Sequence, residues 1–158
     1  VPIPPFIQTI RKKIGHDYLL LPGLVAVVFD DHGRVLLNQR SDSHQWALIS
    51  GIMEPDEQPA TAIARECLEE TGVEIRVDQV VDVYTSPVFT HENGDIAQYL
   101  TVVYRCTKIT GEPLVGDDES LDVRFFGLNE LPPLREDLHR ALGKAVEQRG
   151  GERIGTKY

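Results

Sequence analysis

Glu66, Glu69 and Glu70 stand at i, i+3 and i+4 in a segment whose apolar residues recur with helical spacing. On a helix this spacing gathers three carboxylates on one face, opposite Ile63 and Cys67. Like charges so placed each weaken a helix by about 0.2–0.5 kcal/mol, so the arrangement opposes local stability unless a cation binds. Mg²⁺ is the natural candidate, because it takes oxygen ligands, keeps several waters and bridges carboxylates to substrate phosphates. Such an ion orients a water, lowers its pKa and neutralises charge on a leaving phosphate, which is the chemistry of phosphoanhydride hydrolysis. The same three residues also read as an ordinary solvated acidic face, the commoner fate of acidic helix positions.

The residues around the helix decide between these readings. Counting from Gly51, a glutamate follows at Glu57, then Arg65 and Glu66, Glu69 and Glu70, and Gly72 with apolar Val73. Chance agreement at those fixed positions is on the order of 10⁻⁸ per starting residue at average residue frequencies. Gly51 to Val73 resembles the Nudix box, Gly-x5-Glu-x7-Arg-Glu-apolar-x-Glu-Glu-x-Gly-apolar, with Cys67 at the inner apolar position. The resemblance extends more loosely to Leu36, Leu37, Arg40 and Trp46 before the box and to the strands and helix after it.

This resemblance implies an α/β/α sandwich with a mixed sheet and hydrolysis of a nucleoside diphosphate derivative such as ADP-ribose, or of a nucleoside triphosphate. It implies Mg²⁺, with Mn²⁺ as substitute, held by Glu66, Glu69 and Glu70, with Glu57 as a further ligand or outer carboxylate and a backbone carbonyl at Ser50. It makes Arg65 the partner that orients a carboxylate such as Glu57, a task suited to a bidentate guanidinium; an i,i+4 pair with Glu69 is the plainer alternative. Glu66 and Glu119, the latter in the acidic stretch Asp117-Asp118-Glu119, are the two candidates for general base. Arg40, Trp46 and Tyr84 are the substrate-binding candidates, the two aromatic rings by stacking on a base. A noncatalytic nucleotide-sensing module and an isoprenoid diphosphate isomerase are the alternatives on the same scaffold. The sensor is disfavoured by an intact set of box carboxylates, and the isomerase would draw on a cysteine outside the box, for which only Cys106 is available. Many members read Trp-x-x-Pro-Gly-Gly before the box, whereas here the run is Trp46-Ala47-Leu48-Ile49-Ser50-Gly51. If the second-last position needs positive φ, Ser50 is strained there and the loop takes another path.

The elements that must position these residues follow from periodicity. Ile3, Phe6, Ile7, Ile10 and Ile14 predict an N-terminal helix within residues 1–20, stopped by Gly15. Leu24–Phe29 and Val35–Gln39 predict paired strands across the turn cluster at Asp31, His32 and Gly33. A loop is expected from His44 to Glu57, followed by the carboxylate helix with Pro59 in its first turn, Gly72 at its stop and Ala60, Ile63, Ala64, Cys67 and Thr71 on its apolar stripe. Strands are expected at Val73–Val77, Val80–Tyr84, Tyr99–Cys106 and Val123–Phe126, with Asn93-Gly94 as a hairpin turn. A second amphipathic helix carries Leu134, Leu138, Ala141, Leu142 and Val146, and residues 150–158 are expected to fray.

A length of 158 residues bounds this to one domain. The net charge of −9 argues against nucleic-acid polymers or anionic membranes as partners, since phosphate polyanions repel an acidic surface. A small nucleotide-like substrate bridged by metal remains compatible with that acidity, and the sequence leaves a homodimer open. Cys67 and Cys106 form no CxxC pattern, the five histidines do not cluster, and no leader or spanning segment is evident, so a cytoplasmic setting is expected.

Overall fold

Residues 3–116 and 118–148 are described in the computed structural model; the tail expected to fray at 150–158 and Asp117 lie outside them. The chain opens with α1 (Pro5–Ile14), whose Pro residues start the helix where a missing N–H costs nothing. β1 (Leu19–Phe29) and β2 (Val35–Arg40) then form the expected hairpin, with Phe29 opposite Val35. The stretch expected as a loop before the carboxylate helix instead contains two short strands, β3 (Trp46–Ala47) and β4 (Ile49–Ile52). Ile49, with its Cβ branch, lies in β4 and is fully buried, which favours extended backbone. β4 pairs antiparallel with β1, placing Gly51 opposite Leu24 and Ser50 opposite Val25.

α2 (Pro59–Thr71) carries the glutamates and is followed by β5 (Glu74–Thr85), β6 (Phe89–Thr90), β7 (Ile96–Thr110), β8 (Ser120–Phe126) and α3 (Glu136–Glu147). β5 joins into one bulged strand the two strands expected at 73–77 and 80–84. The Asn93-Gly94 turn is present, with Gly94 at φ 89°. The main strand path runs β3-β2-β1-β7-β5, with β4 on β1, β6 on β7 and β8 on β2. β1 and β7 are parallel and the other pairs antiparallel, so the sheet is mixed.

β1 reads as an unbroken apolar run because it is covered on both faces. Leu24, Ala26 and Val28 face α2 through Ile63 and Cys67, while Val25, Val27 and Phe29 face α3 through Leu138, Ala141 and Leu142. This is the expected α/β/α sandwich. Burying a side chain such as Ile63 contributes about 1.5–3 kcal/mol. That outweighs the few tenths of a kcal/mol by which each carboxylate pair weakens α2. The apolar stripe departs from expectation at one position: Ala60 is exposed and Ala62 is buried in its place. Among the described residues no helix is long and apolar enough to cross a membrane.

The end of α2 is fixed from outside. Gly72 adopts φ 67° and its N–H closes on the Leu68 carbonyl. The loop after β7 then caps two more carbonyls of the last turn, Leu114 N–H donating to Thr71 at 3.0 Å and Gly116 N–H to Glu70 at 3.0 Å. A Cβ on Gly116 would collide with the Glu69 carbonyl oxygen, so this close approach requires glycine. The same loop leads into Glu119, whose carbonyl accepts from Ser41 N–H.

Candidate active site

Arg65 organises the acidic cluster. Its Nε and Nη2 donate to the two oxygens of Glu57 at 2.8 and 3.1 Å, a bidentate pair between residues eight positions apart. Its Nη1 donates to Glu69 at 3.1 Å and lies 3.2 Å from a Glu66 oxygen. The orienting role implied for Arg65 and the plainer pairing with Glu69 therefore coexist, and Glu57, Glu66 and Glu69 meet at one guanidinium. Asp56, at φ 62°, turns the chain so that Glu57 reaches back to α2.

Glu66 lies directly against the backbone of Gly51. A Cβ built there would stand 2.6 Å from Glu66 Cδ and 2.9 Å from Oε1, and closer still to Cγ. Gly51 is needed for space and not for a left-handed backbone, because its φ is not positive. Ser50 is likewise unstrained: it sits extended in β4 and lines the adjacent cleft, correcting the expectation that losing a glycine there would distort the backbone.

The three helix glutamates do not share one solvated face. The Glu69 side chain is 59% exposed and that of Glu66 only 12%. Glu70 is buried, turned to the sheet together with Cys67 and not away from it. Asn38 Nδ2 on β2 lies 3.4 Å from Glu70 Oε2 and donates to Ser120 Oγ at 3.1 Å. Neither Asn38 nor Ser120 was singled out from the sequence; a polar residue directly after the apolar run Val35–Leu37 was the available sign for Asn38.

Burial pushes the Glu66 carboxyl above the usual glutamate range, against the opposing pull of Arg65. Hydrogen bonds from Arg65 hold Glu57 below that range. The charge of Glu119 acts on Glu66 and on Arg40, which places it at the edge of the same cluster. Among the described residues no three His, Cys, Asp or Glu side chains are grouped as a ready-made metal site able to hold an ion. The donor set is nonetheless all oxygen, is gathered around a single cationic centre, and lies over a glycine whose missing Cβ makes room for Glu66. Those features fit a divalent ion such as Mg²⁺ or Mn²⁺.

Gly51 and Ser50 border a cleft of about 900 Å³ on the α3 side of the sheet. Arg40, Trp46 and Tyr84, the substrate-binding candidates, all line it. Each is already engaged. Arg40 forms a bidentate pair with Asp42, Trp46 packs edge-on against Phe126 with the Arg124 guanidinium over its ring, and Arg140 lies over Tyr84. Sequence reasoning missed Tyr99, the wall contributed by α1, and Arg135. Arg135 pairs bidentately with Asp137. The repeated Arg-x-Asp spacing at 40–42 and 135–137 was the signal available for those pairs. Cys106, on which an isomerase would depend, is fully buried, and burial pushes its thiol up, so it is no surface acid or nucleophile.

The family model for the NUDIX domain matches residues 19–148. An ADP-ribose pyrophosphatase from Methanocaldococcus jannaschii is 30% identical over 150 residues, covering 91% of this chain and 86% of that protein. A MutT-like protein from Streptomyces ambofaciens is 37% identical over 83 residues, covering 52% of this chain but only 49% of its relative. Among solved structures, a MutT NUDIX hydrolase from Burkholderia pseudomallei aligns with TM-score 0.66 and 27% identity, over 80% of this chain and 98% of that one.

Proposed function

The chain belongs to the NUDIX family, and from that premise we propose that it is a metal-dependent hydrolase cleaving the diphosphate of a nucleoside diphosphate derivative such as ADP-ribose. The observation that carries the reading is the convergence of Glu57, Glu66 and Glu69 on Arg65, with Glu66 seated on Gly51 beside the cleft. A solvated acidic face would have no reason to bury Glu66 and Glu70 or to require a glycine beneath one of them.

In this reading Glu66, Glu69, Glu70 and Glu57, with the Ser50 carbonyl, would hold Mg²⁺ or Mn²⁺. When bound, the ion supplies charge neutralisation on the diphosphate and makes a coordinated water more acidic. The chain itself does the rest. Glu66 takes the proton from the attacking water as the water oxygen bonds to phosphorus and the bridging P–O bond breaks. Glu119 is the alternative base. Arg65 keeps Glu57 and Glu69 oriented, and Arg40 steadies an anionic part of the substrate. The products are two phosphorylated fragments.

Support also comes from the Methanocaldococcus relative, named for ADP-ribose cleavage and aligned over most of both chains. The decisive measurement is a hydrolysis screen with Mg²⁺ or Mn²⁺ across ADP-ribose, nucleoside triphosphates, dinucleoside polyphosphates and sugar nucleotides. Turnover of ADP-ribose to AMP and ribose phosphate is expected. Absence of turnover on every substrate, with Glu69→Gln behaving identically, would sink the proposal and favour a sensor.

A further inference from the structure

α1 lies wholly before residue 19, where the family match begins, and it is tied to the domain by one buried side chain and a buried charged cluster. Ile7 is buried against Leu21 and Ala97. The Arg11 side chain, 11% exposed, donates to the carbonyls of Gly15, Asp17 and Ile96 and lies 3.5 Å from Asp95. His16 and Asn93 engage the two oxygens of the same Asp95 carboxylate. Losing one partner of such a buried charged group is costly, so these contacts fix the helix in place.

The position of α1 gives it a task. α1 and α3 cover the same face of the sheet, α1 over Leu21 and α3 over Val25. Gly23 lies midway on β1 and its lack of a side chain keeps the gap between them open. At about 3.3 Å per residue the two covered positions stand about 13 Å apart, and the cleft lies along β1 between them. The cleft therefore has two ends. One is walled by Ile3, Pro4 and Ile7 of the α1 segment with Tyr99, and also carries polar residues, Arg11, Asn93 and Asp95 among them; the other is bordered by Trp46, Arg40 and Arg135. Gly51, beneath Glu66, opens onto the stretch between.

We propose that α1 is a specificity element: it forms the wall against which the nucleoside base of the substrate packs, while the group on the other side of the diphosphate reaches Arg40 and Arg135. The assignment rests on the hydrolase reading for where the diphosphate lies. A planar base suits an end where Ile3, Pro4 and Ile7 offer apolar packing for its faces and Asn93 and its neighbours offer polar groups for its edge. A hydroxyl-rich or phosphorylated group suits the two guanidinium groups that bidentate pairs with Asp42 and Asp137 hold in place at that end. The substrate is then a diphosphate carrying two organic groups, since a nucleoside triphosphate would fill only one end.

Ile3 tests this without disturbing the core, because it is 41% exposed. Ile3→Asp is expected to raise KM for ADP-ribose about tenfold with kcat unchanged, to leave KM for base-free phosphoribosyl pyrophosphate unaltered, and to be rescued by Ile3→Leu. Hydrogen exchange of the α1 amides should slow when a non-hydrolysable methylene analogue of ADP-ribose binds. An equal change for both substrates, no change in KM, or α1 exchange unaffected by the analogue would overturn the assignment, as would failure to bind the analogue at all. Binding that protects α1 without any turnover would refute the hydrolase reading and leave the assignment of α1 standing.

Discussion

Gly51→Ala tests the site at its tightest point. The added methyl carbon would stand 2.6 Å from Glu66 Cδ and 2.9 Å from Oε1. Carbon atoms in contact prefer about 3.5–4.0 Å, so the Glu66 carboxylate must retreat by about 1 Å. It is a side chain and not backbone that yields, so the fold should lose little: about 1 kcal/mol, at the low end of overpacking costs, or a fall of about 2–4 °C in Tm for a chain of this size. Misplacing a reacting group by about 1 Å costs on the order of 100-fold in rate. The expected result is a kcat/KM for ADP-ribose about 100-fold below wild type with an unchanged circular dichroism spectrum. Because the methyl acts through Glu66, adding Gly51→Ala to Glu66→Ala should cost almost nothing further. Activity within twofold of wild type, or losses that multiply in the double variant, would refute the reasoning.

Glu69→Gln removes a charge from a side chain 59% exposed, so a loss of about 100-fold in metal-dependent kcat is expected with thermal stability changed by less than about 1 kcal/mol; a parallel collapse of both would make Glu69 a structural residue. Gly116→Ala drives a Cβ into the Glu69 carbonyl and should cost about 1–3 kcal/mol in urea unfolding, since the loop that caps α2 must lift away. Asp30 gives the pH dependence: burial raises its pKa, but the Arg34 backbone and guanidinium and the His32 N–H together lower it below its ordinary 3.8. Its stabilising contribution is therefore present above pH 3.8 and lost as pH falls through the lower folded-state value. Asp30→Asn should destabilise the chain by about 1–2 kcal/mol at neutral pH and flatten the stability profile below pH about 4; an unchanged acid limb in urea titrations would show that Asp30 plays no part.

Local sequence determined what local physics controls. The 3.6-residue stripe, Pro59 and Gly72 place α2 correctly because they act within a few residues of themselves. The spacing from Gly51 to Val73 marks the family because its chemistry needs those residue types at those intervals. Tertiary structure decided what depends on distant neighbours. Glu70 is buried because β2 lies against that side of α2, although its local sequence resembles that of exposed Glu69. Ile49–Ile52 is a strand because β1 is there to pair with it, although the segment reads as a loop beside Ser50. In the sequence Gly51 is only the first fixed position of a spacing, and the packed α2 reveals that it makes room for Glu66. The cleft is assembled from α1, β1, β7 and α3, whose residues are far apart in the chain, so neither Arg135 nor the α1 wall carried any short-range sign of lining it. Period and propensity are written within a turn or two of chain, whereas burial and the meeting of charges are set by whichever surface the fold brings opposite.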